Sequence, residues 1–326
     1  MFAARDTGHG NASSSILVNS SMLVGNYNKA LNRFCIGMSV LTGGLLTAGA
    51  LVTSNDAGLS IPDWPLAYGS MVPPFVGGIR YEFTHRVIAG IVATLTVVLA
   101  AWLYRRESRA WVRTFGYVAL GTVIAQAVLG GMTVIFLQPI PVSVAHACVA
   151  QIFFCSLISL SLFTSRWWQE DFTSISDTGS PQLRALAVWT ACATFFQLVL
   201  GAAFRHGGSG IGPHLVGAAV VTGMVFWTAG ALRNRFPSSA PFKVCRIVLH
   251  SLIGMQLILG AAAWWSRITT KDAPQPMPVM VYLTVAHVVF GALTLAGTVA
   301  VALVSYRLLS ASTAPAVAPS RAQEGM

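Results

Sequence analysis

Four histidines, His85, His146, His214 and His287, recur in "THRVIAG", "AHACVAQ", "PHLVGAA" and "AHVVFGA". Each stands close to the start of a long apolar stretch and is followed by small or β-branched residues. Histidine is costly in a membrane segment, which makes it a functional candidate there. Its imidazole nitrogen ligates iron and other transition metals, and two histidines facing each other across a helical bundle suit the axial positions of a haem. Four of them give two sites, His85 with His146 and His214 with His287. One such histidine could do no more than hydrogen-bond a loop carbonyl. Four at one depth favour ligation.

The stretch "YEFTHRVIAG" adds two charges to the first of these positions. Glu82 precedes His85 by three residues, so the two share a face if the helix begins at or before Glu82. That arrangement places a carboxylate beside a metal site. Glu82 could equally be a plain N-terminal acid favouring the helix dipole. Arg86 is offset by about 100° and lies at the water boundary, where a guanidinium can grip a carboxylate bidentately. A haem propionate suits Arg86, and also Arg205 with His206 in a later outer loop. His9 falls in the N-terminal tail, and His250 lies roughly 20 Å from the four, too far to share their metal. Gln126, Gln197 and Gln256 are polar residues inside apolar spans, either interhelical hydrogen-bonders or site-lining groups. The cysteines at 35, 148, 155, 192 and 245 form no C-x-x-C pair and are expected to pack as small apolar residues.

The elements that position these residues must cross a membrane. Only 9% of the 326 residues are charged and 55% are hydrophobic, whereas a soluble domain carries about a quarter charged residues. Runs of roughly 20 apolar residues span a bilayer, and eight are present, near 34–53, 86–104, 114–136, 142–164, 183–203, 213–232, 245–265 and 280–305. The expected fold is an all-α integral membrane protein. "QAVLGG", "QLVLGA" and "QLILGA" repeat in the third, fifth and seventh spans, with a looser relative, "LTGGLLTAGA", in the first. The unit is a helical hairpin written four times, which predicts two pseudo-symmetric four-helix bundles. The glycines of the repeat are expected to serve close helix approach.

Basic residues fall mainly on one side of the spans, among them Arg105, Arg106, Arg109, Arg113, Arg233 and Arg235. The other side holds Arg80, Arg86, Arg205, Arg267 and Lys271. That bias places both termini in the cytoplasm. It also explains the net charge of +10 without nucleic acid as a partner. The chain then divides into a polar N-terminal tail (1–33), a first bundle (34–164) with a long outer loop (54–81), and an inner linker (165–182). A second bundle (183–309) and a disordered C-terminal tail (310–326) follow. The N-terminal segment lacks the basic start and apolar core of a cleaved signal.

With "LVTSNDAGLSIPDWPLAYG" in the first outer loop and "EFTHR" opening the second span, residues 34–305 resemble the haem A synthase family. The resemblance implies an oxidoreductase that converts the C8 methyl of haem O to a formyl group, giving haem A for terminal oxidases. It implies that His85 and His146 frame the substrate haem, that His214 and His287 hold a haem b cofactor with its iron, and that Glu82 is catalytic. It also implies a multipass bacterial plasma membrane protein acting beside haem O synthase and cytochrome oxidase assembly, with an unspecified electron donor, lipid around it and homo-oligomers allowed. Some branches of the family carry a cysteine pair in the first outer loop. Here that loop has none, with Ile61 and Ala67 flanking "PDWPL". Its Trp64, Leu66, Tyr68 and Phe75 suggest either a cover over a greasy ligand or an aromatic interface belt. A non-enzymatic dihaem electron-transfer protein of the cytochrome b type could use the same four histidines. A transporter would place charges at mid-membrane, and no span carries one.

Overall fold

The computed structural model describes residues 27–311. Eight membrane-length helices dominate: α1 (Lys29–Ser54), α2 (Ile79–Arg106), α3 (Ala110–Ile135), α4 (Ile140–Phe163), α6 (Leu183–Arg205), α7 (Ile211–Arg235), α8 (Ala240–Thr269) and α9 (Pro278–Leu308). A single turn, α5 (Arg166–Gln169), and two three-residue strands, β1 (Ile175–Asp177) and β2 (Leu309–Ala311), complete the described chain. Helices satisfy every backbone group internally, the requirement hydrocarbon imposes on a spanning segment. With apolar residues such as Val40, Val97, Ile124, Phe196 and Ile258 left exposed on their outer faces, the chain is a multipass membrane protein.

The helices run past the apolar stretches because local caps set their ends. Asn28 accepts a hydrogen bond from the Leu31 amide at 3.0 Å and starts α1 at Lys29. The last residues of the expected polar tail, 29–33, are therefore helical. Helix α2 begins at Ile79, seven residues before the expected start of its span, so Glu82, His85 and Arg86 all ride on one helix. Proline opens α4, α8 and α9 within the first two positions, where its missing N–H leaves no bond unmade. Arg105 and Arg106 close α2, and Arg233 and Arg235 close α7, each pair meeting the negative end of its helix dipole.

Among the helix pairs in extensive contact, α1 packs on α2 and α4, and α3 lies between α2 and α4. The second half repeats this: α6 packs on α7 and α9, and α8 lies between α7 and α9. The halves meet where α9 touches α1 and α4, and where α4 touches α6. Leu99, Leu103, Phe153 and Leu157 belong to the core of the first half, Leu186, Val225, Phe242 and Leu249 to that of the second. Phe154, Cys155, Ala292, Leu295 and Ala296 fill the seam.

The connection expected as a plain linker, 165–182, is ordered by pairing: β1 runs parallel to β2, Ile175 opposite Leu309 and Asp177 opposite Ala311. Asp177 is buried, accepts from the Gly179 and Leu183 amides at 3.0 and 2.5 Å, and meets Arg235 at 3.5 Å. The guanidinium of Arg307 lies 4.2 Å from the Phe172 ring centre and donates to the Glu170 carbonyl. Residues 310 and 311, expected to open the C-terminal tail, are thus strand. Backbone pairing across the length of the chain has no periodic signature in so short a segment, which is why composition misplaced it. His9, residues 1–26 and residues 312–326 lie outside the described residues.

Candidate active site

Each of the four histidines rests on a glycine of the helix before it. A Cβ built on Gly49 of α1 would lie 3.0 Å from Cε1 of His85 on α2. On Gly130 of α3 it would lie 3.0 Å from Cε1 of His146 on α4. The same contact is 2.9 Å for Gly201 of α6 with His214 on α7, and 2.9 Å for Gly260 of α8 with His287 on α9. In every case Cε1 is the nearest ring atom, Nδ1 the next and Nε2 the third. The glycines expected to serve helix approach are therefore seats for imidazoles, and the seat recurs in all four hairpins with one geometry. Its sequence signal was the Leu-Gly of the repeat at Gly130, Gly201 and Gly260, and Ala-Gly at Gly49.

One turn before each seat stands Gln126, Gln197, Gln256 or, in the first hairpin, Leu45. The backbone carbonyl of that residue lies beside the seated ring, yet Nδ1 of His85, His146 and His287 is buried without a hydrogen bond. The glutamine side chains combine both roles open to them. Nε2 of Gln126 is 3.3 Å from Nε2 of His146, Nε2 of Gln197 is 3.0 Å from Nδ1 of His214, and Nε2 of Gln256 is 3.5 Å from Nε2 of His287. The Oε1 atoms of all three glutamines are buried and unpaired. Leu45 offers His85 no such partner.

The rings of His214 and His287 have centroids 6.2 Å apart and planes at 88°. Metal–imidazole bonds of about 2 Å on opposite sides of one iron put two ring centres about 6 Å apart. The spacing of the pair fits two imidazoles on one haem iron; Nδ1 of His287 and Oε1 of Gln197 and Gln256 are buried beside it without partners. Phe204 lies nearly parallel to His214 at 6.5 Å and contacts Trp264 at 6.1 Å, with the Arg267 guanidinium 5.6 Å from its ring centre. The sequence singled out neither Phe204 nor Trp264, and placed Arg267 only among the basic residues of the outer side. Among the described residues no three His, Cys, Asp or Glu groups gather as a metal cluster; a porphyrin, which supplies its own equatorial nitrogens, needs only two.

The surroundings of His85 and His146 are different. Glu82 is buried, with Oε1 2.6 Å from Nη2 of Arg86 and Oε2 accepting from the Ile61 amide at 2.9 Å. Arg86 also donates to the carbonyls of Asp63 (2.7 Å), Leu66 (3.0 Å) and Ile61 (3.3 Å). Its fork is thus spent on the "IPDWPL" loop rather than held open for a propionate. The loop closes on itself through the Asp63 carboxylate, which accepts from the Tyr68 and Gly69 amides at 2.7 and 2.8 Å. The Gly69 amide foremost, then the Tyr68 amide and the Arg86 charge, hold the Asp63 carboxyl below the usual carboxylate range. Tyr68 and Gly69 have φ of 55° and 69°, the left-handed values this turn requires.

Trp64 lies over Gly131, where an added Cβ would stand 2.9 Å from the indole. The second glycine of "QAVLGG" thus receives the loop, next to the glycine that receives His146. The other three repeats have Ala50, Ala202 and Ala261 at that place. Trp64 nonetheless remains exposed, as do Leu66, Tyr68 and Phe75.

Arg205 is the last residue of α6 rather than a loop residue. Its Nη2 crosses to α1, donating to the Ala50 carbonyl at 2.9 Å and to Ser54 Oγ at 2.7 Å, while Nη1 is buried without a partner. That free donor keeps Arg205 available for an anion. His206 caps the same helix, where burial and the Arg205 charge lower its pKa. His250 stands apart near the arginine-rich ends of α7 and α8. All five cysteines are free. Cys35, Cys155 and Cys245 are buried, as packing residues should be, whereas Cys192 is exposed on α6.

Residues 74–158, which carry Glu82, His85, Arg86, Gln126, both glycines of "LGG" and His146, match the family profile COX15-CtaA, described as cytochrome oxidase assembly protein. Over part of its length the chain is homologous to haem A synthases. A haem A synthase of Lysinibacillus sphaericus is 28% identical over 186 residues, covering 55% of this chain and 59% of the relative. One of Exiguobacterium sibiricum is 29% identical over 170 residues, 51% of this chain and 56% of the relative. One of Halalkalibacterium halodurans is 32% identical over 130 residues, 39% of this chain and 40% of the relative. The chain thus spans little more than half the length of the first two relatives, at 59% and 56%.

Proposed function

We propose that the chain is an oxidoreductase converting the C8 methyl of haem O to a formyl group, a reading supported by relatives named haem A synthase. The supporting observation is that two like histidine pairs are dressed differently. His214 and His287 sit 6.2 Å apart with glutamines from the neighbouring helices against their rings, as suits a resident haem b. His85 and His146 lie near a loop tied to α2 and α3, with a buried carboxylate three residues from His85, as suits a substrate. A bound haem b supplies one-electron redox chemistry.

Glu82 is the group we assign to catalysis. Held by Arg86 and by the Ile61 amide, its carboxylate can position water or carry a proton at the reacting carbon. Arg205, with its buried free Nη1, is assigned to a propionate. A groove of about 210 Å³ lined by Ala48, Leu51, Phe75, Arg80, Tyr81 and Thr84 opens beside His85. Its flank on α1 and α2 offers a long apolar tail a way in from lipid.

Two further assignments accompany this function. The halves are related by a pseudo-twofold axis along the membrane normal, supported by the matching set of helix contacts and by four like seats. Both termini lie in the cytoplasm of a bacterial cell, supported by the basic residues that close α2, α7 and α9 at one end. Haem O synthase, oxidase assembly factors and an electron donor are then the partners in the same membrane.

Glu82→Gln tests the central assignment. The variant keeps an acceptor for Ile61 and is expected to retain its haems while haem A formation falls about 100-fold or more. Undiminished haem A in cells producing the variant would remove Glu82 from catalysis.

A further inference from the structure

At the end of the second half away from the histidines, α7 and α8 part to leave a cleft of about 380 Å³ lined by Phe226, Ala229, Gly230, Arg233, Arg246 and His250. A volume of that order fits a small ligand group rather than a single water. No carboxylate faces the two arginines: the ion pairs among the described residues use Arg86, Arg109, Arg166 and Arg235. Arg233 makes one side-chain hydrogen bond, to its neighbour Asn234 at 3.2 Å. His250 is held in place by Nδ1 at 2.7 Å from the Arg246 carbonyl and by an edge contact with Phe226 at 5.4 Å. That leaves its Nε2 free of a backbone tie.

The first half has no counterpart. Counting from the histidines and their seats, the matching positions hold Val97, Ala101, Tyr104, Gly116 and Leu120. There α2 and α3 close tightly: a Cβ on Gly116 would lie 2.6 Å from Leu103. The cations are therefore not a by-product of the hairpin repeat. They stand near the arginine-closed end of α7, where headgroups lie, and the faces of Phe226 and Ile247 beside them are exposed to the surrounding apolar phase.

We propose that this cleft binds a phosphate group, carried by an anionic phospholipid whose acyl chains run along Phe226 and Ile247, or free in the aqueous phase. Two guanidiniums can each offer a fork of N–H donors to phosphate oxygens, and basic clefts between membrane helices are suited to anionic headgroups.

Native mass spectrometry of the full-length protein, exchanged into detergent with phosphatidylglycerol or phosphatidylcholine, tests the proposal, alongside thermal unfolding with inorganic phosphate. Excess retention of phosphatidylglycerol that falls about fivefold in Arg233→Gln and about 25-fold in Arg233→Gln/Arg246→Gln would support the lipid source. Stabilisation by inorganic phosphate that the double variant loses, with equal retention of the two lipids, would support the free anion. Arg233 is exposed, so its single variant folds and remains informative if the double variant does not. Wild-type retention of phosphatidylglycerol and wild-type response to phosphate in the Arg233→Gln variant would overturn the proposal.

Discussion

The two histidine pairs share one scaffold and differ in what surrounds it. Both seat their imidazoles on glycines, where an added Cβ would lie 2.9 to 3.0 Å from the ring. Three of the four rings have a glutamine amide within 3.5 Å; the fourth, His85, faces Leu45 and is flanked instead by Arg86 and, one turn back, by Glu82. The positions matching Glu82 in the other hairpins are Ser143, Ile211 and Thr284, and those matching Arg86 are Ala147, Leu215 and Val288. The lesson is that repetition sets geometry while single departures from it set chemistry. A pair with a glutamine against each ring suits a permanent ligand, and a pair with one ring lacking that partner beside a tethered loop suits one that comes and goes.

The strongest way to break the comparison is to remove one imidazole from each half. His214→Ala is expected to abolish bound haem b in pyridine haemochrome spectra of the purified protein, while His85→Ala retains it. Equal loss in both would erase the division of labour. Next come the seats. Gly201→Ala pushes a methyl to 2.9 Å from His214, and overpacking of this kind costs about 1–3 kcal/mol. The expected outcome is a lower thermal midpoint and a shifted haem b spectrum, with Gly130→Ala leaving that spectrum alone. Gly37→Ala, which meets nothing within 4 Å, serves as the neutral control.

A finer test exchanges the residue one turn before a seat. Gln197→Leu is expected to weaken haem b retention about 10-fold, the lower range for loss of a ligand's hydrogen-bond partner. Leu45→Gln should lead the first site to hold its haem longer, read as slower haem loss to apomyoglobin. The smallest effect concerns the loop. The Asp63 pKa is lowered in the folded chain, so its contribution is present above the ordinary aspartate range, about 3.9, and is lost as pH falls through the folded value. Hydrogen exchange of the Tyr68 and Gly69 amides should accelerate on acidification in that direction, and Asp63→Asn should show the same acceleration at neutral pH.

Much of this was legible in advance because membrane crossing leaves a strong compositional mark. Eight apolar runs, the arginines at their ends and the four histidines could be placed from residue types alone, since length and hydropathy decide what a bilayer accepts. The helix ends were less legible: α2 starts seven residues early because its first turn is polar and its loop supplies partners. The pairing of β1 with β2 left no trace in composition.

What the residues determined by themselves was the number of spans, the repeat of the hairpin and the choice of histidine, glycine and glutamine at matching places. Tertiary structure alone decided that the glycines are seats, that Arg86 turns to the loop while Arg205 crosses to α1, and that His214 meets His287 at 6.2 Å. The reason is physical: hydropathy and periodicity are sums along one chain segment, whereas the direction of a side chain depends on which backbone it finds opposite.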